Sequence, residues 1–364
     1  MKKAWVWILL PVIGLAAIAG VFAYVERGPL ALMLMQTAVE RRMSDDVIGN
    51  LPDALHVILC GAGGPMPDPK RSGACVAVIA DGTFFVFDAG TNGARNLNRM
   101  GLNPGRLDAI FLSHFHSDHI DGLGEMMLLR WIGGAHRAPV PVLGPQGVER
   151  VVAGFDEAYA QDAIYRTAHH GEAVAPSNGS GGRAVAFNTP RQGELLEVWN
   201  RNGVVVSAFK VDHTPVSPAV GYRIDYAGRS AVISGDTSRS SNLERVSQGV
   251  DLLVHEALSP ELVGVLHRAA IKNQRAGLAK ITDDILGYHT TPVQAAQIAQ
   301  AIGAGHLLFY HVVPPLLLPG LDQVFLAGVS DAYSGPVTLG RDGTWVSLPA
   351  NSKAIRVENF PGFE

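Results

Sequence analysis

Ser113-His114-Phe115-His116-Ser117-Asp118-His119 places four metal-ligating side chains within six residues, directly after an apolar run that begins at Ala109. On extended backbone the imidazoles of His114 and His116 project to one side, because side chains alternate with period two. Asp118 and His119 follow in the turn, where they can face a second ion. Nitrogen and oxygen donors without a thiolate suit zinc, and manganese or iron fit the same donors. One such cluster cannot close two metal sites. The chain therefore has to bring further ligands to the same place from distant strand ends.

Candidates for those ligands follow later apolar strands. His213 comes after Val204–Val211, Asp236 after Ala231–Ser234 and Gly235, and His311 after Leu307–Tyr310. Each is a polar residue at the exit of an apolar strand, where loops gather at one sheet edge. The strands fall into two comparable halves. The first half reads as strands His56–Cys60, Ala74–Ala80 and Thr83–Phe87, a helix near Asn92–Met100, and a buried strand Ala109–Ser113. The second reads as strands Val204–Val211, Val220–Tyr226, Ala231–Ser234 and Leu252–His255, a helix Pro292–Ile302 with apolar spacing, and a buried strand His306–Tyr310. Two such halves predict an α/β fold, a four-layer αββα sandwich, in preference to a doubly wound sheet.

The predicted organisation has four parts: a membrane segment over 1–27, a linker over 28–55, a catalytic domain over 56–350 and a tail over 351–364. The first rests on Lys2 and Lys3 followed by an uncharged apolar run, Ala4–Val25, long enough to cross a bilayer. That pattern predicts a transmembrane anchor with an extracytoplasmic catalytic body, periplasmic if the source is bacterial. The competitor is a signal peptide cleaved near Val21-Phe22-Ala23, giving a secreted protein. Pro29–Val39 reads as a short helix against the membrane or the body. Cys60 and Cys75, the only cysteines, read first as small buried core residues, with pairing as the alternative.

Within the body, residues 136–206 read as a substrate-facing insertion, with a flexible Gly- and Ser-rich loop at Gly171–Gly182. It carries six arginines and no lysine against seven carboxylates, which does not make a polyanion-binding arm. The whole chain has 29 Lys and Arg against 33 Asp and Glu, a net charge of −4, which argues against a general nucleic-acid-binding surface. Ala257–Lys280 reads either as a basic lid helix or as an ordinary solvated helix face. His169-His170 reads as a surface pair.

These motifs resemble the metallo-β-lactamase superfamily, whose HxHxDH pattern stands here as His114, His116, Asp118 and His119. Within it the chain is similar to the ribonuclease Z-like branch, which also contains zinc-dependent arylsulfatases. The branch marks are Asp212-His213 with Gly221-Tyr222-Arg223, Ser234-Gly235-Asp236-Thr237, His255-Glu256-Ala257 and His289-Thr290-Thr291. The resemblance implies the sandwich fold and two zinc ions. His114, His116 and His213 would hold one ion, Asp118, His119 and His311 the other, and Asp236 would bridge them. Asp88 would orient a ligand histidine from behind.

The chemistry implied is hydrolysis of a phosphodiester or sulfate ester by metal-activated hydroxide. Asp118 would orient the nucleophile, His289 would protonate the leaving oxygen and Glu256 would orient His289. Thr290-Thr291 would cap the helix that starts at Pro292. The expected substrate is a small anionic ester, and the membrane is a further partner through the N-terminal helix. A nucleic-acid substrate is a lesser expectation, and a homodimer is left open. Two rival functions remain: a ribonuclease Z-like tRNA 3′-processing endonuclease, and a non-catalytic metal-binding scaffold or sensor.

Overall fold

The computed structural model of the chain describes Gly20, Tyr24 and residues 27–363. The chain divides into two units, 1–50 and 51–364. In the first, helix α1 (Arg27–Ser44) is longer than the expected Pro29–Val39 helix and carries Arg27, Glu40, Arg41 and Arg42. The predicted transmembrane helix is corrected here. Among the described residues no helix is long and apolar enough to cross a membrane. The run Ala4–Val25 lies outside the described residues, apart from Gly20 and Tyr24. The membrane-anchored, extracytoplasmic localisation and the membrane partner rested on that helix and fall with it.

In the second unit, strands buried along their whole length require cover on both faces. β1 (Ala54–Gly61), β2 (Cys75–Ala80) and β3 (Thr83–Phe87) are of this kind. They are followed by α2 (Gly93–Arg99), β4 (Ala109–Phe111), α3 (Ser117–Ile120) and α4 (Leu123–Gly134). Next come β5 (Val140–Pro145), α5 (Val148–His170) and β6 (Gly182–Phe187). β7 (Leu196–Arg201), β8 (Val204–Lys210), β9 (Val220–Tyr226) and β10 (Arg229–Ile233) open the second half. α6 (Ser241–Val246), β11 (Leu252–Leu258), α7 (Pro260–Lys272), α8 (Ala276–Asp284) and α9 (Pro292–Ile302) continue it. β12 (His306–Val313), α10 (Leu321–Phe325), α11 (Val329–Ala332), β13 (Val337–Leu339), β14 (Thr344–Pro349) and β15 (Arg356–Asn359) complete the chain.

The strands form an eight-stranded sheet in the order β15-β14-β1-β2-β3-β4-β5-β6 and a seven-stranded sheet in the order β13-β12-β11-β10-β9-β8-β7. Alternation along each strand divides its side chains between two layers. Leu55, Val57 and Leu59 of β1, Val76 and Val78 of β2, and Phe85 and Phe87 of β3 enter one core. Val206, Ala208, Tyr222, Ile224, Ile233, Val254 and Leu308 of the second sheet meet them there. Outward residues Phe209, Val232, Leu253 and Phe309 join a second cluster with Ala295, Ile298, Ala299 and Ile302 of α9. α2, α4 and α5 pack against the first sheet. The result is the expected αββα sandwich.

Three local readings change. Residues 136–206 are not an insertion: β5 and β6 extend the first sheet in parallel, and β7 is the edge of the second. Ala257–Lys280 is broken into α7 and α8 at Asn273–Arg275, where Gln274 adopts a φ of 55°. Cys60 and Cys75 are both buried and form a disulfide, with Cα atoms 5.0 Å apart. It closes the loop from Gly61 to Ala74. Within the tail, Arg356–Asn359 pairs with β14.

Candidate metal centre

The C-terminal ends of β4, β8, β10 and β12 meet at one edge of the sandwich. His114–His119 follow β4 and enter the one-turn helix α3, with His116 at its N-cap in extended conformation. Gly235 turns the chain after β10 with a φ of 61°. A Cβ there would lie 2.7 Å from the Val220 carbonyl, so only glycine fits this approach. The turn delivers Asp236 to the same place as His213 and His311.

The structure brings all seven expected ligands together: His114, His116, His213 and Asp236 form one group and Asp118, His119 and His311 another, while Asp236 and His311 also converge with His289. His114 Nε2 lies 3.0 Å from His116 Nδ1, and His213 Nε2 lies 3.4 Å from that same atom. Asp236 Oδ2 is 3.8 Å from His114 Nε2 and 3.9 Å from His213 Nε2. In the second group His311 Nε2 is 3.0 Å from Asp118 Oδ2, and His119 Nε2 is 3.7 Å from it. Asp236 lies between the groups, with Oδ1 3.4 Å from His119 Nε2 and Oδ2 3.4 Å from His311 Nε2.

Three observations fit this donor set to metal ions. The edges of a tetrahedron around zinc with bonds of about 2.0–2.1 Å are about 3.3 Å long, close to the separations here. The far nitrogens of three ligands are already engaged. His114 Nδ1 meets Ser113 Oγ at 3.0 Å, His119 Nδ1 meets Asp88 Oδ2 at 2.8 Å and His213 Nδ1 meets the Tyr288 carbonyl at 2.9 Å. For the neutral His114 and His213, those partners fix the tautomer so that the near nitrogen presents its lone pair to the group. Finally, His119 Nε2 and Asp236 Oδ1 are buried and lack any hydrogen-bond partner. Buried polar atoms turned towards one another without a hydrogen bond leave room for a cation between them.

The electrostatics agree. Burial holds His114, His116 and His213 below the ordinary imidazole range, so they are neutral donors at neutral pH. His119 is equally buried, yet the carboxylates of Asp236, Asp88 and Asp118 hold it well above that range. Burial opposes the charge of Asp118 and Asp236, but His119 and His311 hold both carboxyls far below their usual range.

Asp88 does orient a histidine, and it also accepts from the Ser113 amide at 2.7 Å and the Ser113 hydroxyl at 2.8 Å. His289 Nδ1 lies 3.2 Å from Glu256 Oε1, and its ring stacks 5.7 Å from that of His311. Burial opposes charge on His289, but Glu256 outweighs it and raises the imidazole to about 9. The same Glu256 oxygen accepts from the amides of Thr237 at 3.2 Å and Thr290 at 3.0 Å. Glu256 thus joins the β10 turn to the His289 loop. Thr291 caps α9 through a capping box with Gln294. His255 is buried in β11 and bonds the Glu256 carbonyl at 2.7 Å. His169 and His170 end α5, exposed and outside both groups. Arg223 pairs with Asp225 at 2.9 Å.

Sequence reasoning missed Tyr288, whose ring sits 5.2 Å from His213, and Asp342. Asp342 is buried and accepts from the Ala62 amide at 3.0 Å, the Ser72 amide at 2.9 Å and Asn96 Nδ2 at 2.8 Å. It fixes both arms of the disulfide-closed loop beside the centre. Its only sequence signal is an Asp-Gly turn 280 residues from Ala62.

A sandwich that gathers histidines and aspartates at its strand ends defines a class of metal-dependent hydrolases. The model of the metallo-β-lactamase superfamily matches residues 68–281, and the chain belongs to that superfamily. Among its relatives, ribonuclease Z of Mycobacterium avium is 34% identical over 82% of this chain and 100% of its own length. Ribonuclease Z of Mycobacterium bovis is 32% identical over 79% of this chain and 96% of its own. Of solved structures, the metallo-β-lactamase fold protein YhfI from Bacillus subtilis superposes with a TM-score of 0.57 at 19% identity. It covers 81% of this chain and all of its own. The short form of human tRNase Z gives 0.54 at 22% identity, covering 81% of this chain and 99% of its own. The likeness places the chain in the ribonuclease Z-like branch. The curated relatives named here are ribonucleases Z, which does not support the arylsulfatase side of the expectation.

Proposed function

We propose that this chain is a dinuclear zinc phosphodiesterase that cleaves RNA in the manner of ribonuclease Z, as a tRNA 3′-processing endonuclease. The observation that carries the reading is similarity over the whole length of the Mycobacterium avium ribonuclease Z, at 34% identity. The ligands are His114, His116 and His213 for one ion and Asp118, His119 and His311 for the other, with Asp236 between them. When bound, the pair of ions supplies Lewis-acid activation of water and of the phosphoryl oxygens.

This chain's residues do the rest. Asp118 and Asp236 orient the attacking water and accept its proton. His289, kept protonated by Glu256, gives its proton to the leaving ribose oxygen, and its charge opposes the charge that builds there. Glu256 fixes the ring from a buried position. The site is built for a tetrahedral anionic ester, and the relatives favour phosphate over sulfate. Their names favour RNA over the small-molecule ester that composition pointed to.

The test uses the zinc-loaded full chain with a precursor tRNA bearing a 3′ trailer, mature tRNA, bis(4-nitrophenyl) phosphate and 4-nitrophenyl sulfate. Cleavage of the precursor at its 3′ end, lost in Asp236→Ala, is the expected result. Turnover of the sulfate, or of the aryl phosphate alone, would sink the RNA reading. Tight zinc binding with no turnover of any substrate would favour the scaffold alternative.

A further inference from the structure

The surroundings of the centre are chemically lopsided. Beside Asp118 lies a cleft of about 470 Å³ lined by Asp68, Arg71, Thr91, Asn92 and Asp121. Its cation is engaged: Arg71 is buried, its Nε donates to the Gly340 carbonyl at 2.8 Å, and it pairs with Asp68 at 3.5 Å. Among the described residues that line this cleft Arg71 is the one cation, and it is paired within the protein.

The His213 side carries aromatic rings instead. Tyr288 is half-buried, its ring centroid 5.2 Å from that of His213 in a T-shaped contact and 5.1 Å from that of His289 at a tilt. Among the described residues no other ring lies parallel on it. Its backbone is held rigidly, because its carbonyl accepts from His213 Nδ1 at 2.9 Å and the next two residues are held by Glu256. Phe115, between His114 and His116, is less suited. Its ring lies over Gly147, with Cε2 only 3.0 Å from where a Cβ would stand.

We infer that Tyr288 is the stacking platform for the nucleobase adjoining the scissile phosphate, which makes it a specificity-determining residue of the RNA-cleaving site. The inference rests on the proposed function and adds what that reading lacks, a sequence-tolerant base contact beside the His213 group. Stacking on an aromatic ring is open to every base, because every base has a π-face. A rigidly held ring gives that contact with little ordering cost.

The experiment is a calorimetric titration of the zinc-loaded full chain with adenosine 5′-monophosphate and with ribose 5-phosphate. These ligands share sugar and phosphate and differ only in the base. The nucleotide should bind roughly 5- to 100-fold more tightly, the range that base–aromatic stacking supplies. Tyr288→Phe should keep that preference. Tyr288→Leu, which keeps bulk without a π-face, and Tyr288→Ala should both abolish it while ribose 5-phosphate binding stays unchanged. Equal binding of the two ligands to the unaltered protein, or a preference that survives in Tyr288→Leu and Tyr288→Ala, overturns the inference. Failure of the precursor tRNA assay with the nucleotide preference intact would sink the ribonuclease reading and leave the stacking platform standing.

Discussion

Replacing Gly90 by alanine tests whether backbone packing sets the metal geometry. A Cβ at Gly90 would stand 2.3 Å from the Asp118 carbonyl oxygen, 2.4 Å from the Gly73 carbonyl carbon and 2.6 Å from the Ala74 nitrogen. All three obstacles are backbone, so no side chain can swing aside. The surrounding ties are short, with the Gly90 amide bonded to the Ala74 carbonyl at 2.9 Å and the Ala89 amide to the His119 carbonyl at 2.7 Å. Relief to ordinary contact needs a displacement of about 1 Å, whereas metal–ligand distances tolerate about 0.2 Å. Overpacking of this kind costs about 1–3 kcal/mol of stability. Zinc at the Asp118, His119 and His311 group should weaken at least about 10-fold, as when a supporting residue of a metal site is lost. The assay is chelator-competition titration of both zinc ions, with urea unfolding in parallel. The first zinc, at His114, His116 and His213, should stay tight. Gly154→Ala, on an exposed face of α5 with nothing within 4 Å of the added Cβ, is the control and should be neutral or stabilising by up to about 1 kcal/mol. Unchanged stability and two unchanged zinc affinities in Gly90→Ala would refute the reasoning.

Three further outcomes are expected. Cys60→Ala with Cys75→Ala opens a loop of sequence separation 15 and should lower unfolding stability by about 3 kcal/mol; an unmoved urea midpoint would contradict that. Glu256→Gln should lower kcat on RNA roughly 10- to 100-fold with zinc content unchanged, because His289 loses the carboxylate that keeps it protonated; a full kcat would remove His289 from the proton-donating role. Burial depresses the His306 imidazole to about 4, below its unfolded value of about 6.5. The unfolded chain thus binds the proton first, so stability present above about pH 6.5 falls as pH drops towards 4, by about 2 kcal/mol after allowing for partial exposure. The slope of urea midpoint against pH should flatten in His306→Asn, and an identical slope would show that other groups set it.

The ligands were legible because each stands as a polar residue at the exit of an apolar strand. His114 and Asp236 sit where hydrophobic runs stop, His311 interrupts one inside β12 with a φ of 45°, and the runs themselves are central strands buried on both faces. β3, β9 and α9 match their sequence limits for the same reason. Residues 136–206 misled because Pro141 and Pro145 interrupt β5, and because β6 and β7 are partly exposed strands without strong alternation. The disulfide depended on a register shift between Leu59 and Gly61, which places Cys60 against Cys75 and has no signature in composition. Asp342 and Tyr288 were invisible for a different reason. Their significance lies in long-range contacts, with Ala62, Ser72 and Asn96 for one and His213 for the other.

Folding and chemistry bear on the same few residues here. Asp88, Asp118, Asp236 and Glu256 are all buried at one edge of the sandwich. Asp88 is answered by Ser113 and His119, and one Glu256 oxygen by three N–H donors. Asp236 Oδ1 and His119 Nε2 have no hydrogen-bond partner, but they face each other at 3.4 Å as an ion pair. Because the donors come from four separate strand ends, ions bound there would tie the two sheets together at the edge where the loops meet. The disulfide and the Asp342 network brace the adjoining loop from the opposite end of the chain. That division of labour explains why the wall beside Asp118 is built from backbone contacts and internal ion pairs.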